Sequence, residues 1–233
     1  MNSGRPRPHD LVRLCAPDAF HPAPGRERPA RVDWVVVSRG RAPHGHLAVT
    51  ARGAGPGQRC AGTVFAEDVT DVRTPCDLVR VTAPRELPVF AAVRVLASLH
   101  RPRWVASWGP GGDAGFELAS RVPAAGPLSA LDLVLHVPRP VPPAEVGLWS
   151  ARLREALPVR VNAQLQTPAG GVSADEFARA AFPVTARTAD GPRRIADPWA
   201  PDPAPVWPFA PGAGPRPSPT APAPPAPLAH LTR

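Results

Sequence analysis

Chemistry in this chain would begin at a glycine loop. Gly109-Pro110-Gly111-Gly112-Asp113-Ala114 separates a strand-like run, residues 103–108, from a short helical one, residues 114–121. Asp113 is the residue type and position that would cap that helix. Backbone N–H groups at a helix start, reinforced by the helix dipole, hold phosphate oxygens. Downstream, the apolar run 131–137 carries Asp132, and residues 159–166 alternate so that Arg160, Asn162, Gln164 and Gln166 share one side. The loop also satisfies the G-x-G-x-x-A dinucleotide fingerprint. That use is disfavoured, because Asp132 opens its strand whereas a ribose-binding acid belongs at a strand's end. Too few strand–helix units remain for a doubly wound sheet.

A nucleotidyltransferase palm fits the order of parts better. Such a palm needs a Gly-Ser turn at a helix N-terminus for phosphate and an Asp-x-Asp strand, whose residues i and i+2 share one face and can share divalent metals. A third carboxylate comes from a neighbouring strand. Metals about 4 Å apart then stabilise the attacking and leaving oxygens of an in-line displacement. The corresponding positions are Gly112-Asp113, Ala130-Leu131-Asp132 and Asn162, with Gly115 in the first helical turn. Asp113 would face a bound triphosphate with a like charge, and two unit charges about 4 Å apart cost roughly 4 kcal/mol at an effective dielectric of about 20. Alternatively, Asp113 is a displaced metal ligand and Asn162 a neutral oxygen donor.

Other side chains have paired readings. His9-Asp10 either positions a substrate or partner or forms a local turn, with Asp10 suited to the turn. Arg59, Arg103 and Arg160 are candidates to grip phosphate, Arg160 because it shares a strand side with Asn162. His136 falls on the Asp132 side of its strand, near a site or simply structural.

These residues need a scaffold. In the first 85 residues, short runs at 34–37, 47–50, 62–65 and 78–81 read as strands, giving a small β-rich N-terminal domain. Val89, Phe90, Val93 and Leu96 repeat at helical spacing, so residues 88–100 read as a helix opened by Pro88. Residues 145–157 form an amphipathic helix with Val146, Trp149, Leu153 and Leu157 on one face. Ser173-Ala174-Asp175-Glu176 reads as a capping box opening a short helix. The fold class is therefore α+β: residues 1–85 β-rich, 86–199 a nucleotidyltransferase-like α/β palm, and 200–233 a disordered tail. The tail holds 12 prolines and no apolar periodicity.

Composition removes several function classes. Pro and Gly supply 55 of 233 residues, yet 43% of the chain is hydrophobic, enough for a core. No apolar run approaches the roughly 18 residues of a membrane span, and the first ten residues lack a secretory apolar region. Cys15, Cys60 and Cys76 are odd in number and widely spaced, which suits a reducing, cytoplasmic setting. The net charge is +8 and there is no lysine, so every basic side chain except His is Arg. The arginines are scattered and carry no interleaved aromatic platforms, which argues against nucleic acid and for an anionic small substrate.

Residues 5–199 also resemble a known family, the phosphoribosyl-dephospho-CoA transferases of malonate decarboxylase, which make the holo acyl-carrier protein of that system. The matching stretches run from Arg7-Pro8-His9-Asp10-Leu11-Val12 and Gly57-Gln58-Arg59-Cys60-Ala61-Gly62 through residues 108–119 and Ser129-Ala130-Leu131-Asp132. They end with residues 162–171 and Asp197-Pro198-Trp199. The resemblance implies transfer of phosphoribosyl-dephospho-CoA from its triphosphate precursor, triphosphoribosyl-dephospho-CoA, to a serine of the acyl-carrier subunit. Diphosphate would leave, and Mg²⁺ is the implied cofactor. Gly112, Asp113 and Gly115 map onto phosphate binding, and Asp132 onto a catalytic metal ligand. Three positions depart from the family pattern: Asp113 stands for Ser, Ala130 for Asp and Asn162 for Asp. A non-catalytic descendant that keeps the acyl-carrier or nucleotide surface is the alternative.

Overall fold

Alternation of apolar and polar residues builds the first sheet. The computed structural model describes residues 5–52 and 58–200, which belong to one compact unit. The expected disordered tail lies outside the described residues, apart from Ala200. The first sheet has six strands: β1 (Leu11–Leu14), β2 (His21–Pro22), β3 (Trp34–Val37), β4 (His46–Arg52), β5 (Arg59–Phe65) and β6 (Val69–Arg73), in the order β2-β5-β4-β3-β1-β6. In β4, Leu47, Val49 and Ala51 are buried while Thr50 and Arg52 point to the other side. Val12, Val35, Val37, Leu47, Val49 and Val64 close one core around Phe20. Leu11, Trp34 and Val36 point the opposite way and join a larger core shared with the rest of the chain.

That larger core is built on α1 (Pro75–Leu78), α2 (Pro88–Ser98), β7 (Ser107–Pro110), α3 (Gly112–Ser120), β8 (Leu131–His136) and α4 (Pro143–Ala156). It continues with β9 (Val161–Thr167), β10 (Gly170–Ser173), α5 (Ala174–Ala178), β11 (Val184–Thr188) and β12 (Gly191–Ile195). The second sheet runs β12-β11-β10-β9-β8-β7. Only β8 and β9 pair in parallel among the described strands, and α4 makes the crossover that a parallel pair requires. All other pairs in this sheet are antiparallel, so it is mixed and not doubly wound. The chain is α+β, with one sheet in residues 11–73 and the other in residues 107–195.

Three local expectations are corrected. Residues 78–81 do not form a strand, because Thr74 and Asp77 make a reciprocal capping box that starts α1 with Pro75 at its first turn. Residues 103–108 are not strand throughout either, since β7 begins only at Ser107. Before α5, Ser173 accepts from the Glu176 N–H, but the Glu176 carboxylate turns to the Thr185 N–H and Arg194. That cap is one-sided and ties α5 to the last hairpin. Fully buried Glu117 in α3 receives Arg85 and the N–H groups of Ala124 and Ala125, fixing the loop that leads into β8.

Candidate active site

The site forms where the start of α3 meets the first residues of β8 and β9. Leu131, Leu133 and Leu135 of β8 face the core, so alternation turns Asp132 away from it. The β8–β9 register sets Asp132 directly opposite Asn162. The Asn162 amide donates to Asp132 Oδ1 at 3.0 Å. The Gly111 N–H donates to the Asp132 carbonyl at 2.7 Å, drawing the loop onto β8. Gly112 follows with φ +56, and a Cβ there would stand 2.0 Å from Asp132 Oδ2. A left-handed backbone and a carboxylate at touching distance both demand glycine at this position.

Gly112, Asp132 and Asn162 line one cleft of about 690 Å³. Its other walls include His9, Thr50, Arg52 and Arg59 from the first part of the chain, and Gln164, Ser173, Asp175, Glu176 and Arg187 from the second. His9-Asp10 splits into two roles. Asp10 makes the turn, its carboxylate accepting from the Arg7 N–H at 2.8 Å and its N–H donating to the Arg7 carbonyl. That turn holds His9 at φ 77 and presents its ring to the cleft. Burial, then the charges of Arg39 and Arg187, lower the His9 pKa to about 4, against opposing effects from Asp132 and a hydrogen bond with Gln164. His9 is therefore neutral at physiological pH.

Asp113 differs from expectation in two ways. The helix cap is Gly111, with no side-chain capping bond, so Asp113 is a first-turn residue. Its carboxylate pairs with Arg52 and lies 3.5 Å from Arg59. Arg52 also sits over the Phe116 ring, 4.9 Å from its centroid. The charge that would repel a triphosphate is thus matched by two arginines of β4 and β5, and the roughly 4 kcal/mol penalty does not stand against a bare carboxylate.

The remaining sequence candidates are placed as follows. Gly115 lies inside α3, its N–H donating to the Gly111 carbonyl and its α-carbon against Pro110. Ala130 is half-buried one residue before β8. Arg59 lines the cleft; Arg103 and Arg160 are exposed and do not. His136 sits at the far end of β8, 2.8 Å from Arg7. Sequence reasoning missed Arg39, Arg52 and Arg187. Their signal was weak, since each lies among other arginines in segments without a phosphate motif.

The donor set does not fit a resident Mg²⁺. Asp132 offers one carboxylate and already accepts from Asn162, while Asp113 is turned to Arg52 and Arg59. Among the described residues no three His, Cys, Asp or Glu side chains form a metal-holding group. Mg²⁺ wants several oxygens, which this arrangement does not supply.

Residues 77–198 match the family described as the C-terminal domain of phosphoribosyl-dephospho-CoA transferase MdcG. Similarity to curated proteins extends further. A phosphoribosyl-dephospho-CoA transferase of Pseudomonas aeruginosa is 38% identical over 200 residues, covering 83% of this chain and 94% of the relative. One from Pseudomonas putida strain GB-1 is 35% identical over 204 residues, covering 84% and 96%. One from Klebsiella pneumoniae strain 342 is 33% identical over 211 residues, covering 84% and 98%. No solved structure matches the chain.

Proposed function

The chain belongs to the phosphoribosyl-dephospho-CoA transferase family, and on that premise we propose that it moves this group from its triphosphate precursor to a serine of the malonate decarboxylase acyl-carrier subunit. The observation that carries the proposal is the convergence of Gly112, Asp132 and Asn162 on one arginine-rimmed cleft. In this reading residues 86–199 act as a nucleotidyltransferase-like palm and residues 1–85 supply Arg52, Arg59 and His9. None of its described helices is long and apolar enough to cross a membrane.

The step is a phosphoryl displacement. The carrier serine oxygen forms a bond to the phosphorus nearest the ribose, and the bond from that phosphorus to the outer diphosphate breaks. The electron pair leaves with the diphosphate. Asp132 Oδ2, the oxygen not engaged by Asn162, accepts the serine proton. The first-turn N–H groups of α3, with Arg52 and Arg59, offset the phosphate charge.

A second reading rests on a specific observation: Ala130 and Asn162 leave Asp132 as the one carboxylate on the facing ends of β8 and β9. A descendant that binds nucleotide or carrier without chemistry would have this arrangement. The experiment is transfer of the precursor to purified apo acyl-carrier subunit, followed by intact-mass spectrometry with Asp132→Ala alongside. A mass increase lost in Asp132→Ala supports the transferase. No increase, with precursor binding retained, supports the descendant.

A further inference from the structure

Beside the main cleft lies a second cavity of about 430 Å³, sharing His9, Thr50, Arg59, Gln164 and Arg187 with it. Its charge is one-sided: among the described residues, the lining has three arginines, Arg39, Arg59 and Arg187, and no Asp or Glu. The main cleft, by contrast, includes Asp132, Asp175 and Glu176.

Arg39 is the unusual member. It follows β3, and its Nη2 is buried without a hydrogen-bond partner among the described residues. Burial, then the charge of Arg187, pull its pKa down to about 10, still fully charged at neutral pH. Leaving a buried guanidinium N–H unpaired beside a second cation is costly unless an anion joins them. Gly171 makes room for this arrangement. A Cβ at Gly171 would stand 2.8 Å from Arg39 Nη2 and 2.5 Å from Gln164 Nε2. The β10–β11 register places Gly171 opposite Arg187, so the open space and the second cation come from the same strand pair. His9, neutral and hydrogen-bonded to Gln164, adds a polar wall without a competing negative charge.

We propose that Arg39 and Arg187, with Gln164 and His9, form a second phosphate-binding subsite that takes the internal diphosphate of the dephospho-CoA portion of the substrate. This inference rests on the transferase reading for the identity of the ligand. The precursor has two anionic groups far apart on the molecule, a terminal triphosphate and the diphosphate bridging adenosine and pantetheine. The structure has two places for them. The start of α3 with Arg52 and Arg59 faces the reacting triphosphate, and the acid-free cavity beside it faces the bridge. Arg59 lines both and would sit between them.

The test is calorimetric binding of dephospho-CoA, which has the bridge and no triphosphate, to the full chain and to Arg39→Gln, Arg187→Gln and Arg160→Gln. Arg160 is exposed and outside both cavities, so it controls for net charge. Arg187 is exposed at its strand, which keeps its variant folded if Arg39→Gln is not. The expected result is a loss of about tenfold or more for Arg39→Gln and Arg187→Gln, and less than about twofold for Arg160→Gln. Equal affinities across the three variants and the parent, or no binding to the parent, overturn the subsite. The transfer assay on the same preparations separates the two ideas. Transfer with Arg39-independent dephospho-CoA binding removes only the subsite. Arg39-dependent binding without transfer upholds the subsite and removes the catalytic reading.

Discussion

Asn162 donates its amide to Asp132 Oδ1 at 3.0 Å across the parallel β8–β9 pair. An amide thus occupies the position from which a second carboxylate would share a metal with the first. Asn162→Asp replaces this donor with a carboxylate. Without a cation the two acids repel, and one is pushed up in pKa; with a cation they become a ligand pair. Isothermal titration with Mn²⁺ should show affinity at least about tenfold above that of the parent chain. Unchanged Mn²⁺ binding would mean that the two side chains are not positioned to share an ion.

Asp113 pairs with Arg52 and Arg59 and would share them with any polyphosphate bound in the cleft. Asp113→Ser frees Arg52 and Arg59, and the affinity for inorganic tripolyphosphate should rise about tenfold. Stability should fall by about 1–2 kcal/mol, because Asp113 and Arg59 are substantially exposed but Arg52, the closer partner, is only 19% exposed and loses its counter-charge. Equilibrium binding and urea denaturation measure the two effects separately. A fall in tripolyphosphate affinity would show that Asp113 itself helps to organise the site.

Gly112→Ala attacks the site through sterics. The new methyl meets Asp132 Oδ2 at 2.0 Å on a backbone with positive φ. The expected loss is about 1–3 kcal/mol in urea denaturation, with a parallel loss of transfer. Full retention of both stability and transfer would contradict the packing described.

The His9 prediction concerns pH. Its pKa falls from 6.5 to about 4 on folding, so between those values the unfolded chain binds a proton that the native chain does not. The stability contribution is therefore complete above pH 6.5 and is lost as pH drops toward 4. His9→Gln removes this dependence, while Asp10 and His136 remain the same in both proteins. The stability of the parent minus that of the variant should decline steadily over that window in denaturation curves. A constant difference would show that the native histidine protonates as readily as a free one.

The sequence by itself determined the elements whose patterns are local. β3 matches the run at 34–37, and α2 begins at Pro88 as its spacing predicts. The leucines of β8 fixed its buried side and so the outward turn of Asp132. The glycine loop and Asp132 were legible because each stands in a short, ordered pattern of residue types. Local patterns failed where another local signal was stronger, as when the Thr74–Asp77 capping box turned the apolar run at 78–81 away from strand. The last hairpin, β11 and β12, escaped the reading because β11 is short and buries only Val184, Ala186 and Thr188, while Gly, Pro and Arg fill β12 without alternation. Of the 27 arginines, Arg59 was a candidate from sequence, but that Arg39, Arg52 and Arg187 line the cavities with it was decided only in three dimensions. Arg39, Arg52, Arg59 and Arg187 come from separate stretches of chain and meet only in the folded structure, Arg59 and Arg187 lining both cavities, Arg52 the main cleft and Arg39 the second. Burial and the nearness of like charges are properties of that packing, so no window of sequence could show that Arg39 Nη2 would be buried without a partner among the described residues, or His9 held neutral.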